Sequence, residues 1–312
     1  VKENTDVVAT RARVATRLVG REHELELVLS AIAAGRDLVL EGPPGTGKTT
    51  MLRAIADEWG IPLFYVEGNA DLTPAKLVGH HNPARVLKED YTADNFVAGP
   101  LLEAMRTGGF LYLEEFNRAP DDTLNTLLAA LAERRISVPR VGEVLAAPSF
   151  RLIASMNPYD NVGTTRLSTS ISDRLCRLAI DYQDEPAETG ITELRTEAGG
   201  GLGRRLVADA VSVTRATREH SDLRQGSSVR GSIDTVLVAG QLAQLRQITE
   251  AGDSAERLDP ASAYPQLVLD AMIVALSGRI HLDEAVDTTP ERVLREIWED
   301  RFVLNPAAAT PG

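Results

Sequence analysis

One stretch constrains this chain more than any other: Leu38-Val39-Leu40-Glu41-Gly42-Pro43-Pro44-Gly45-Thr46-Gly47-Lys48-Thr49-Thr50. It reads as a short buried strand, a glycine-rich loop and the first turn of a helix. The loop fits G-x-x-x-x-G-K-[ST], with Gly42, Gly47, Lys48 and Thr49 at the fixed positions. Glycines let backbone N–H groups turn inward around a phosphate without a Cβ clash. The helix that starts near Gly47 aims the positive end of its dipole at the same place. Residues Gly42, Pro43, Pro44, Gly45, Thr46, Gly47, Lys48, Thr49 and Thr50 are therefore the expected phosphate-binding segment. Lys48 brings a charge for the outer phosphates, and the Thr49 hydroxyl can ligate Mg2+.

Five short runs rich in Leu, Ile, Val, Phe and Tyr follow one another at about 37–41, 62–66, 110–114, 151–156 and 177–182. Their density suits strands buried on both faces. Helical patterns lie between them at 48–58, 100–107 and 121–134. Alternating strand and helix predicts an α/β domain, a five-stranded parallel sheet covered by helices on both faces, over residues 1–184. Two intervals exceed a plain crossover: 72–99, read as a small insert, and 135–149, which alternates around Gly142 and reads as a β-hairpin. Beyond Tyr182 the strand-like runs stop. Residues 185–203 are rich in Glu, Thr and Gly, and helical patterns dominate at 203–219, 229–250, 261–277 and 290–301. The expectation is an all-helical second domain over 185–304 and a disordered tail at 305–312.

Candidate chemistry lies at the ends of the strands. The third run ends Phe110-Leu111-Tyr112-Leu113-Glu114-Glu115-Phe116-Asn117-Arg118. Behind a phosphate loop, two acids at a strand tip divide the work: Glu114 on the metal side, Glu115 polarising the attacking water as a general base. The fourth run ends at Asn157-Pro158. Asn157 either holds the γ-phosphate or orients the water, or simply forms a turn before proline. Arg174, in Ser172-Asp173-Arg174-Leu175, is the leading candidate for an arginine that reaches a neighbouring subunit's γ-phosphate, with Arg166 second. The alternative for Arg174 is a surface arginine paired with Asp173. In Gly226-Ser227-Ser228-Val229-Arg230, a serine can cap a helix and leave Arg230 in its first turn. A cation is disfavoured there, so Arg230 suggests an anionic partner or else a solvated side chain.

Bulk properties narrow the classes. The net charge of −12 argues against a motor that grips nucleic acid over a broad face. One cysteine, Cys176, excludes an intrachain disulfide, suits a reducing compartment and is read as a core thiol. The five histidines do not form a metal-binding spacing. No apolar run approaches the roughly 18 residues that cross a bilayer, and no secretory signal is read at the start, so the expected location is the cytoplasm.

Together these residues resemble the AAA+ ATPases, and within them the MoxR group, over about residues 18–302. Gly42 to Thr49 is similar to the Walker A loop, and Phe110 to Pro120 to Walker B with the group's Asn-Arg-Ala-Pro. Asn157 resembles sensor 1, Asp173-Arg174-Leu175 the arginine-finger segment and residues 226–230 sensor 2. Residues 72–99 resemble the helix-2 insert, and 135–149 the pre-sensor-1 hairpin. The resemblance implies a homo-hexameric ring with ATP and Mg2+ between subunits. It implies Arg174 and Arg230 as nucleotide sensors, a protein client that is remodelled or loaded with a metal or cofactor, and a von Willebrand factor A-domain partner. Two departures stand out: Glu114 where aspartate is usual, and Leu175 where phenylalanine is common. The first leaves an ATP-dependent assembly switch with little hydrolysis as an alternative, and a nucleic-acid motor as a remoter one.

Overall fold

Three strands bury all, or all but the last, of their residues: β1 (Leu38–Glu41), β3 (Phe110–Glu114) and β4 (Arg151–Met156). They are the centre of a five-stranded sheet completed by β2 (Leu63–Glu67) and β5 (Cys176–Ala179), in the order β2-β3-β4-β1-β5. Every pairing is parallel, with Leu38 opposite Ile153 and Cys176, and Phe110 opposite Leu63 and Arg151. The computed structural model describes residues 6–89, 91–158, 168–248 and 263–304.

Alternation along each strand feeds two cores. Leu38, Leu40, Phe110, Tyr112 and Ile153 pack with Leu29, Leu52 and Ile55 from the helices Glu22–Ala33 and Lys48–Trp59. Val39, Leu111, Leu113, Leu152 and Ala154 face the other way, onto Leu101, Met105, Leu124 and Leu127 from the helices Pro100–Thr107 and Asp121–Glu133. Both layers are therefore pinned to the central strands, which aligns their C-terminal ends at one edge. The sheet is α/β, as the strand–helix alternation implied.

The edge strands depart from the expectation of two buried faces. In β2 Val66 is the one buried residue, and β5 has none. Cys176 is an exposed free thiol, not a core thiol, because β5 closes the sheet and leaves that side uncovered. Glu41, buried within β1, is ion-paired with Arg177 of β5.

Residues 72–99 hold a helix, Pro74–Val78, capped by the Thr73 hydroxyl, then a helix at Pro83–Glu89. The strands Gly79–His81 and Phe96–Ala98, on either side of the second helix, pair antiparallel. Residues 135–145 form an antiparallel hairpin, with Arg135 opposite Leu145 and Val138 opposite Gly142.

The chain divides into two units, Val1–Asp181 and Tyr182–Gly312. In the second, the helices Gly200–Glu219, Val229–Arg246, Ala263–Leu276 and Pro290–Glu299 share a core that includes Val211, Ala239, Leu267, Met272 and Trp298. Two details correct the sequence reading. A helix runs over Glu185–Thr196, within the Glu-, Thr- and Gly-rich segment for which no helix was expected, and Gly200 and Gly201 open the next helix; Asp184 caps the first, and its Glu188 is buried against Arg215 and Arg218. The helical unit also carries a two-stranded ribbon, Leu223–Gln225 with His281–Leu282, where none was expected. The proposed tail, 305–312, lies outside the described residues.

Candidate active site

Strand β1 delivers its loop at the C-terminal edge of the sheet. Gly42 N–H donates to Met156 O at 3.0 Å, which ties the loop to the end of β4. A Cβ on Gly42 would drive into the Ile180 carbonyl, so only glycine lets the loop pass that close. Gly47 has φ +86 and ends the loop as the N-cap of the Lys48–Trp59 helix, with no side-chain cap. Open space lies where its Cβ would stand. The first N–H groups of a helix have no intrahelical acceptor, so this end is built to take an anion.

The Lys48 ammonium is buried in the loop, donating to Gly42 O at 2.9 Å, Pro43 O at 2.7 Å and Thr46 Oγ1 at 3.2 Å. The loop is braced from behind by Arg21, itself buried, whose Nε donates to Thr46 O at 3.1 Å and whose Nη2 donates to Asp181 O.

At the tip of β3, Glu114 Oε1 accepts from the Thr49 hydroxyl at 3.3 Å, and Oε2 from the Tyr65 hydroxyl at 2.6 Å. Tyr112 stands beside them, 3.1 Å from Thr49 Oγ1 and 2.9 Å from Ser155 Oγ. Burial, with the Glu114 carboxylate adding to it, pushes the Tyr112 phenol up to about 12. Partial burial and the hydrogen bond to Glu114 raise Tyr65 above its ordinary value as well. Both phenols therefore stay protonated donors at neutral pH.

Glu115 follows with φ +53, a left-handed conformation unusual for a residue with a side chain. Its carboxylate lies 3.3 Å from Arg118 Nε. Asn157 is buried at the end of β4, and its backbone O accepts from Asn117 Nδ2 at 3.5 Å. The structure thus gathers Gly42 to Thr50, Glu114, Glu115 and Asn157 at one edge of the sheet.

Arg174 is elsewhere. It precedes Cys176, whose N–H donates to Asp37 O at the N-terminal end of β1. Five residues of extended chain, about 16 Å, separate Asp37 from Gly42 along the sheet. Arg174 is exposed, and its Nη1 donates to Ser170 O at 2.8 Å. Arg166 lies outside the described residues. Arg230 is exposed in the first turn of Val229–Arg246. Neither serine caps that helix through its side chain: Ser228 makes no cap bond, and Ser227 Oγ donates to Ser228 O.

Sequence reasoning missed Tyr65, Tyr112 and Arg21. The period-two alternation Tyr112-x-Glu114 carried a signal for Tyr112, whereas Tyr65 is brought in by its cross-strand register with Tyr112.

The donor set fits a nucleoside triphosphate with Mg2+. The uncapped helix end and the buried ammonium suit the phosphates, while the Thr49 hydroxyl and Glu114 carboxylate suit the metal.

A family model for the AAA domain (dynein-related subfamily) matches residues 37–175. The denitrification regulatory protein NirQ of Pseudomonas aeruginosa is 34% identical over 211 residues, spanning 67% of this chain and 78% of NirQ. The chain belongs to the AAA family of P-loop ATPases. A second relative, the gas vesicle ATPase GvpN of Ancylobacter aquaticus, is 30% identical over 227 residues. That match takes in 68% of this chain and 62% of the length of GvpN. Among solved structures, a RuvB variant of Thermotoga maritima shares the AAA fold with TM-score 0.52, 16% identity and coverage of 82% of this chain and 71% of RuvB. No helix among the described residues is long and apolar enough to cross a membrane.

Proposed function

We propose that this AAA protein is an ATP-hydrolysing motor of the MoxR type that works as a homo-hexameric ring and remodels or activates a protein client. The supporting observation is the separation of Arg174 from Gly42–Thr49: the two stand at opposite ends of the same sheet. A site that needs both is completed between copies, and a ring supplies one such junction per subunit.

In this reading Lys48 and the first-turn amides of its helix bind the phosphates. Thr49 and Glu114 hold Mg2+, which when bound neutralises charge on the phosphoryl oxygens. Glu115 takes a proton from the attacking water, and Asn157 orients it. Arg174 of a neighbouring copy stabilises the charge that develops on transfer. The names of NirQ and GvpN point to different cellular settings, which supports a motor whose client varies while its ATP site does not. A von Willebrand factor A-domain protein is the proposed partner in reaching that client, and the single exposed cysteine suits action in the cytoplasm.

Mixing two inactive variants tests the shared site. Lys48→Ala and Arg174→Ala proteins each release little phosphate from Mg-ATP alone. Combined, they regain turnover at roughly a quarter of their junctions, where an intact loop meets an intact arginine. No recovery in mixed assemblies would contradict completion between copies.

A further inference from the structure

At the other edge of the sheet, away from the phosphate loop, lies a cavity of about 680 Å3. Arg36, Asp37, Arg134, Arg151, Asp173 and Arg174 contribute to its lining. Four guanidinium groups thus face two carboxylates in a chain whose net charge is −12. The pairing inside is incomplete. Asp37 is committed, accepting from Leu152 N–H at 2.7 Å through Oδ1 and from Arg134 Nη1 at 3.4 Å through Oδ2. The other described acceptors of Arg134 and Arg151 are neutral carbonyls. Both donate to Phe150 O at 2.6 Å, and Arg151 also donates to Pro148 O at 2.8 Å.

Arg151 is 7% exposed, and its Nε–H has no acceptor among the described residues. A buried cation is costly unless an anion answers it. Burial, with Arg134 and Arg36 adding to it and Asp37 opposing it, lowers Arg151 below its ordinary range. Planar guanidiniums around an open space match an oxyanion, which each can engage through two parallel N–H groups.

We propose that this cavity is a second anion site, taking a compact oxyanion of the phosphate class at Arg36, Arg134 and Arg151, separate from the phosphate loop. Arg174 on its lining connects the site to the arginine assigned above to the neighbouring copy's nucleotide, so occupancy sets the charge around that arginine. The binding itself does not depend on hydrolysis. Free phosphate and the phosphate tail of a nucleotide carry the same chemistry, and the test separates them.

The full-length Lys48→Ala protein, with its phosphate loop disabled, is titrated with inorganic phosphate and, separately, with ADP in the absence of Mg2+, at ionic strength matched with chloride. Binding is read by calorimetry. Saturable binding of either probe supports the site only where the Arg36→Glu or Arg134→Gln change weakens it, because the first-turn amides of the Lys48–Trp59 helix remain in Lys48→Ala and binding there would not respond to those variants. Phosphate as the tighter ligand marks a free oxyanion, and ADP as the tighter ligand marks a nucleotide tail. Adding Arg36→Glu, at an exposed position, is expected to weaken that binding at least tenfold. Arg134→Gln gives a second reading if the first variant misfolds. No saturable binding of either probe up to about 10 mM, or affinity unchanged in both variants, would overturn the proposal.

Discussion

The Tyr65 hydroxyl donates to Glu114 Oε2 at 2.6 Å, and this bond decides what the longer acid at the tip of β3 can do. One carboxylate oxygen is held by Tyr65 on the neighbouring strand. The other is left 3.3 Å from the Thr49 hydroxyl. An extra methylene that looks like a handicap in the sequence is taken up by the sheet, which positions the carboxylate against Thr49.

Removing the tether isolates its contribution. Tyr65→Phe keeps the ring contact with Tyr112, whose centroid is 5.8 Å away, and deletes only the donor. The expected outcome is a threefold to tenfold higher Mg2+ requirement for phosphate release, with ATP affinity little changed. A magnesium titration of the steady-state rate checks it, and an unchanged midpoint would show that Tyr65 does not position Glu114.

Shortening the acid tests the same geometry from the other side. Glu114→Asp draws the carboxylate back from Tyr65 or from Thr49, since one methylene fewer cannot span both. The rate is expected to fall several-fold. A marked rise would favour an assembly switch in which Glu114 holds hydrolysis down.

Gly42→Ala sets a Cβ against the Ile180 carbonyl, where neither backbone can yield without moving a strand. The expected cost is about 1–3 kcal/mol, seen as a lower midpoint in thermal unfolding. Gly240→Ala, inside the Val229–Arg246 helix at a position where a Cβ meets nothing within 4 Å, is the control and should leave the midpoint unchanged or slightly higher.

In the helical unit, Glu188 is fully buried, accepting from Arg215 Nη1 at 3.1 Å and Arg218 Nη2 at 2.7 Å. Glu188→Ala strands two guanidiniums beside a new void. Loss of one partner from such a buried pair costs about 3–5 kcal/mol, so denaturant unfolding of this unit should shift by that amount. A shift below about 1 kcal/mol would show that water reaches the arginines.

How far the sequence carried the reading depends on the range of the interaction. The loop was legible because Gly42, Lys48 and Thr49 are local: spacing alone puts them at one helix end. Strands β1, β3 and β4 were legible because residues buried on both faces leave a dense apolar run. Cys176 was misjudged because an edge strand and a central strand can carry the same short run, and only the strand order tells them apart. Tyr65 was invisible because its role comes from the β2–β3 register, a long-range pairing that no local pattern encodes. The helix Glu185–Thr196 escaped notice since it meets its neighbours largely through Glu188 and Thr192, buried polar residues that leave no apolar period. The ribbon at Leu223–Gln225 and His281–Leu282 is too short to leave any period.

The central claim is that Glu115, in its left-handed turn beside Glu114, is the base of an ATPase whose phosphate loop is Gly42–Thr50. Phosphate release and ATP binding measured side by side on the wild type and Glu115→Gln test it most directly. The account expects the variant to bind Mg-ATP about as tightly as the wild type while turnover falls at least a hundredfold. Turnover in Glu115→Gln equal to that of the wild type would contradict it.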